Sequence, residues 1–407
     1  MINSKKICFE VVPDTRLQGL DILRSIAIIL VFMSHYGFVT GVNPFGIFQE
    51  FGGLGVVLFF VLSGYLIGNQ IFKPLTKNEP LNLKNFYIRR FLRILPAYYF
   101  VIIIYFIFPF LQEKPITEPL WKFLTFTMNF GTNLIPHGIG FSHAWSLCIE
   151  EHFYILFPIL AIFILRKNSN KNFLYLLGFF LVLTIILRGL SYKIFVEAAA
   201  PNNLGRYYMK YIYYPTYTRL DGLLFGIFSS FIKNFYPIIW QKIINIKFSN
   251  LYILMGIAGI YLTYLFFHSE NLRFYSATFA YTTEAFSCFM LLMSALSPNS
   301  ILYKIKIPGA NTLATLSYAV YLMHKILIYL TFQFLSNHLN SYNKNYLCVL
   351  VAALSSISCA WILYRLIELP FLNLRDKLTI QKKKAENIFS NSLNLETAKT
   401  PIDADKA

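Results

Sequence analysis

The chain alternates long apolar runs with short polar ones, and the runs have the length of a bilayer crossing. A hydrocarbon core of about 30 Å takes roughly 20 helical residues. Runs of that order fall at 18–38, 52–72, 94–111, 147–165, 173–191, 218–236, 250–268, 273–296, 312–335 and 345–367. They predict an all-α polytopic membrane protein of about ten transmembrane helices. The apolar stretch 121–135 is shorter and reads as interfacial or re-entrant. The basic start (Lys5, Lys6, Arg16) leads into the first run without a small-residue cleavage site, so a retained first helix is expected. The polar segment 376–407 reads as a disordered cytoplasmic tail, leaving 1–375 as one transmembrane domain.

Composition agrees with this pattern. Of 407 residues, 56% are hydrophobic and 14% charged, which excludes an ordinary soluble domain. The net charge of +17 would suit nucleic acid, but its distribution suits a membrane better. With the N-terminus inside, the segments 1–17, 73–93, 166–172, 237–249, 297–311 and the tail, with Lys233, hold about 24 of the 36 Lys and Arg residues. That bias predicts cytoplasmic termini, with anionic lipid rather than nucleic acid as the basic face's partner. Five scattered cysteines form no disulfide or zinc pattern, and seven histidines show no clustered ligand spacing, so no metal site is expected.

Polar residues inside the apolar runs are the candidates for chemistry, because a charge in lipid is costly unless it faces an interior site. Arg24 and His35 lie eleven residues apart, on one helix face and about 16 Å apart along the axis. Glu150 and Glu151 open a span in HAWSLCIEEHFYILFP; Glu150 shares a face with Trp145 and Tyr154, and a nearby carboxylate can orient an imidazole. Ser146 lacks the GxSxG context of a hydrolase nucleophile. Arg89, Arg90 and Arg93, in FYIRRFLRILPAYY, form a cationic patch able to hold phosphates, though such a patch can also be a plain membrane anchor. Arg219 and Asp221 are expected at the outer mouth of the sixth span. Ser317, Tyr321 and His324 share one face, and Arg365 and Glu368 are spaced for a local ion pair.

With these residues in hand, the chain resembles the membrane-bound acyltransferase-3 family. LQGLDILRSIAIILVFMSHYG, FFVLSGYLIG, FYIRRFLRILPAYY, HAWSLCIEEHFYILFP, TRLDGLLFG, LSYAVYLMH and YRLIELPF follow the family's motifs in order through most of the chain. His152 stands where a glutamine is common, and no hydrolase-like C-terminal extension follows, so a stand-alone form is expected. The resemblance implies a bacterial inner-membrane O-acyltransferase with acetyl-CoA as cosubstrate and no tightly bound cofactor. Arg89, Arg90 and Arg93 would hold the donor's phosphates, with Arg24 nearer the thioester. His35 would be general base on an acceptor hydroxyl, with Glu150 as its acidic partner. The acceptor class implied is a surface glycan, such as lipopolysaccharide O-antigen or exopolysaccharide. A lipid or small-molecule acceptor is the nearest alternative. A proton-coupled transporter or flippase also fits ten spans with buried Arg, His and Glu, but no paired repeat halves are visible.

Overall fold

A computed structural model of the protein describes residues 17–77, 79–132, 139–165, 170–269, 273–338 and 344–378. The expected tail lies outside them from residue 379, and so do residues 1–16. The described residues form helices and turns, with no strand among them. The principal helices are α1 (Gln18–Thr40), α2 (Gly52–Leu75), α3 (Leu83–Ile107), α4 (Ala144–Leu165) and α5 (Asn170–Ser191). They continue as α6 (Asp221–Phe235), α7 (Pro237–Ile244), α8 (Leu251–His268), α9 (Tyr281–Leu296), α10 (Ala310–His338) and α11 (Lys344–Leu363).

Nine helices among the described residues are long and apolar enough to cross a membrane, or ten if one bent pair counts as a span. The bent pair is α6 with α7, which meet at 116°. Pro237 opens α7, where its fixed φ and missing N–H suit a first turn and not the continuation of a preceding helix. At 15 residues α6 is only about 22 Å long, so the expected sixth span is a short helix followed by a turn across the bundle end. Two more spans differ from the sequence expectation in their bounds. The third span begins at Leu83, not at 94, so the arginine motif lies inside α3, whose Asn82 caps the backbone N–H of Asn85. The last helix runs through a π-helical turn at Tyr364–Glu368 to residue 378, past the expected end of the last span at 367. In the 121–135 region the structure has a short helix, Leu120–Leu124; residues 133–135 lie outside the described set.

At the centre stands α2, packed against α1, α4, α6 and α9. Its closest neighbour is α6, and glycine makes the approach possible. A Cβ on Gly64 would run into the Leu223 carbonyl, and one on Gly226 into the Val61 carbonyl. Such contact between small residues is a common basis for helix association where water supplies no hydrophobic drive. The α1–α2 pair and α10 surround the polar interior, with α10 packed on both α1 and α11.

Candidate active site: a charged cavity and a histidine cluster

A cavity of about 520 Å³ opens between α1, α2, α3, α4, α10 and the continuation of α11. Arg24, Arg90 and Arg93 line it, facing the carboxylates of Glu150 and Glu368. Arg90 and Arg93 share a face of α3 at i,i+3, whereas Arg89 points away and is exposed outside the cavity. Arg89 is therefore not brought together with the other two. The Arg90 guanidinium lies 3.9 Å from the ring centre of Tyr154. The Tyr154 hydroxyl donates to Glu150 Oε2 at 2.9 Å and also meets Ser63. Arg375 sits at the cavity rim and pairs with Asp376 at 2.8 Å.

Glu368 departs from the expected pairing with Arg365. It is buried with Oε1 lacking a hydrogen-bond partner, while Arg365 stacks against Trp361 at 5.4 Å. The π turn is the reason. Its wider winding separates residues that α-helical i,i+3 spacing would align. Glu368 turns into the cavity towards Arg93 instead.

The inner wall of the cavity includes Ser146, Leu147 and Tyr321. Tyr321 Oη donates to the His143 carbonyl at 2.9 Å and meets Ser146 Oγ at 2.7 Å. Behind this partition lie three imidazoles. His35 and His324 stack with ring centres 4.9 Å apart, and His143 lies 6.0 Å from His35 and 5.3 Å from His324. The spacing along α1 thus carries Arg24 into the cavity and His35 into the cluster. Along α10, Ser317 and Tyr321 line the cavity and His324 joins the cluster.

The hydrogen bonds fix tautomers. His324 Nδ1 lies 3.0 Å from the Val320 carbonyl, which can only accept, so Nδ1 carries the hydrogen. In the neutral ring His324 Nε2 is then an acceptor. His35 Nδ1, 2.7 Å away, must donate to it, and His35 Nε2 keeps its lone pair. The partner that orients His35 is therefore His324, and not the expected Glu150, whose hydrogen bond goes to Tyr154.

Next to His324, Lys325 is fully buried and paired with Glu113 at 2.6 Å. Glu113 also accepts from Tyr105 Oη at 3.0 Å and the Phe141 N–H at 3.1 Å, and Lys325 reaches Ser142 Oγ at 3.1 Å. The pair ties the two ends of the α3–α4 connection to α10. Burial, and after it the Lys325 charge, hold His143 well below the ordinary imidazole range.

Arg219 and Asp221 lie near each other in sequence but serve different partners. Asp221 takes a two-pronged ion pair from Arg188 at 2.6 and 3.1 Å and a hydrogen bond from Thr282. Arg219 stacks on Tyr281 at 3.7 Å, with Tyr213 and Trp145 further off. His152 meets Thr216 Oγ1 at 2.8 Å and stacks on Phe130, away from the histidine cluster.

Sequence reasoning missed Arg188, Lys325, Glu113 and His143. Two carried a signal. Lys325 is a lysine well inside an apolar run, and Arg188 is an arginine at the end of a span where the charge bias expects few. Glu113 had none, because its role depends on a contact more than 200 positions along the chain.

A sequence profile of the family described as "Acyltransferase domain" matches residues 17–365. The O-acetyltransferase OatA of Staphylococcus aureus is 26% identical over 372 residues, covering 87% of this chain and 57% of that protein. The peptidoglycan O-acetyltransferase OatA of Listeria monocytogenes is 29% identical over 231 residues, 53% of this chain and 34% of that protein. The chain thus spans little more than half of the first relative and about a third of the second. No solved structure matches it.

Proposed function

Since the chain belongs to the acyltransferase-3 family, whose profile covers residues 17–365, we propose that it is an integral-membrane O-acyltransferase. It moves an acyl group, acetyl foremost, from acyl-CoA to a hydroxyl of a surface glycan. The relatives' names favour acetyl as the group and include peptidoglycan among the acceptors. The protein sits in the bacterial inner membrane with both termini cytoplasmic, an orientation supported by the Lys and Arg bias.

On this reading the cavity receives the donor. Guanidinium groups bind phosphate bidentately, and Arg24, Arg90 and Arg93 outnumber the two carboxylates facing them. The acyl end of the donor reaches the Tyr321–Ser146 partition, where one aromatic ring separates cavity from imidazoles. Rotation of Tyr321 would open the cavity towards the imidazoles. His35 Nε2 takes the proton from the acceptor hydroxyl, whose oxygen attacks the thioester carbonyl; the C–S bond breaks, and the departing CoA thiolate takes that proton back from His35 to leave as the thiol. His324 holds His35 in the tautomer with Nε2 free, the task a carboxylate performs in a hydrolase triad.

The observation carrying this reading is the directed chain from His35 Nδ1 through His324 to the Val320 carbonyl. The test is glycan mass from cells making wild type, His35→Ala or Arg93→Ala. A gain of one acetyl mass per modified sugar that disappears with His35→Ala is expected. Full modification by that variant at normal protein level would sink the assignment.

A further inference from the structure

A second, separate pocket lies at the end of the bundle that carries His35. Its volume is about 200 Å³, below the roughly 300 Å³ at which drug-sized pockets begin, and is suited to one ring. Connectivity places it: Glu50 and Phe51 join α1 to α2, Tyr264 and His268 end α8, and Tyr281 and Glu284 open α9. None of the residues lining it belongs to the donor cavity.

Its walls are aromatic, with Tyr213, Tyr264, Phe267 and Tyr281 among them. Aromatic faces are negative and attract the C–H bonds on the face of a saturated ring. Its polar lining includes the carboxylates of Glu50 and Glu284 beside Thr263 and His268. Glu284 is 6% exposed and lines the pocket with Oε2 lacking any hydrogen-bond partner. A buried acceptor left so is costly unless something donates to it. At the rim Glu50 meets His268 at 2.9 Å.

Charge selects the ligand class. An aromatic cage with two acids would suit a quaternary ammonium, but each acid here has a cationic neighbour. Arg219 lies 3.7 Å from the ring centre of Tyr281 and acts on Glu284, and His268 pairs with Glu50. A cation gains little in such a pocket. A neutral ring with hydroxyl donors around its edge and C–H bonds on its face fits both the walls and the Glu284 carboxyl group.

We infer that this pocket binds a single neutral sugar residue, held by stacking on its tyrosines and by a hydroxyl donated to Glu284. Its role as the docking point of the acceptor glycan rests on the acyltransferase reading; the binding itself does not. Tyr213 connects the two sites, because it lines the pocket and lies 4.7 Å from Trp145, the residue preceding Ser146 of the partition.

The test is saturation-transfer NMR on the full chain in detergent, with methyl glycosides of glucose, galactose and N-acetylglucosamine as probes and choline as comparison. Transfer to at least one glycoside is expected. Glu284→Gln and, independently, Tyr264→Leu should weaken its binding about tenfold or more, the scale of one hydrogen bond to a charged group. Thermal unfolding of each variant shows whether it is folded, and Tyr264 is only half-buried, so its variant stands if the buried one fails. Arg93→Ala should keep the glycoside signal while weakening acetyl-CoA binding about tenfold. If wild type binds glycoside but not acetyl-CoA, the acyltransferase reading fails and the pocket stands. Glycoside binding that both variants retain, no binding by wild type, or saturation of choline alone would overturn the inference.

Discussion

Where α1 begins, Arg24, Arg90 and Arg93 line a cavity that Glu150 and Glu368 also line. One partition away, Lys325 and Glu113 meet at 2.6 Å, and Tyr105, Phe141 and Ser142 complete their hydrogen bonds. Both regions bury charge, yet only the first leaves it turned to open space. A self-contained ion pair is scaffolding, and truncating one member leaves the other uncompensated. Charges that line an open cavity can instead be reached by a ligand. The histidine cluster lies between the two regimes, oriented by neutral hydrogen bonds and fixed next to the ion pair.

The largest test of this contrast is His35→Ala, which should lower acyl transfer by about 10²- to 10⁴-fold, the usual worth of a positioned base, while leaving acetyl-CoA binding intact. Next comes Lys325→Met, which strands Glu113 and should cost about 3–5 kcal/mol in thermal unfolding. Replacing Lys325 and Glu113 together by apolar residues should restore much of that loss. If the single variant is as stable as wild type, the division between scaffold and site is wrong. A smaller effect belongs to the cavity: Arg93→Ala should raise the donor KM about tenfold, with an unfolding temperature close to that of wild type.

The smallest effect concerns acid. His143 is held neutral in the folded state, well below the roughly 6.5 of the unfolded chain, so the unfolded state binds the proton first as pH falls. Stability contributed by the neutral ring is present above about pH 6.5 and is lost below it. His143→Phe should therefore flatten the fall of unfolding temperature on the acid side. An unchanged slope would show that His143 is not part of that response.

Much of this contrast could be read from the chain. Hydropathy alone placed the helices, and Arg24, His35, Glu150 and His324 were visible as polar intruders in apolar runs. The pairing was not visible, for local reasons. Glu150 turns to Tyr154 because both sit on one face of α4, four residues apart, a closer partner than any histidine. Glu368 leaves Arg365 because a π turn changes the angle per residue, which no hydropathy pattern reports. Sequence spacing assumed the α-helical period throughout, and it misled where that period stopped. The end of α6 was written in Pro237, whereas its start at Asp221, inside the run that begins at 218, was not.

The Lys325–Glu113 pair also bears on how the protein is made. A lysine well inside a helix opposes its insertion into lipid by about 2.5–3.5 kcal/mol. Synthesis runs from the N-terminus, so Glu113 and the helix before it leave the ribosome long before α10. The later helix meets a counter-ion already waiting and need not lodge its charge alone in hydrocarbon. Order of synthesis and order of assembly are thereby coupled, and α10 expressed apart from the first three helices would enter a membrane poorly.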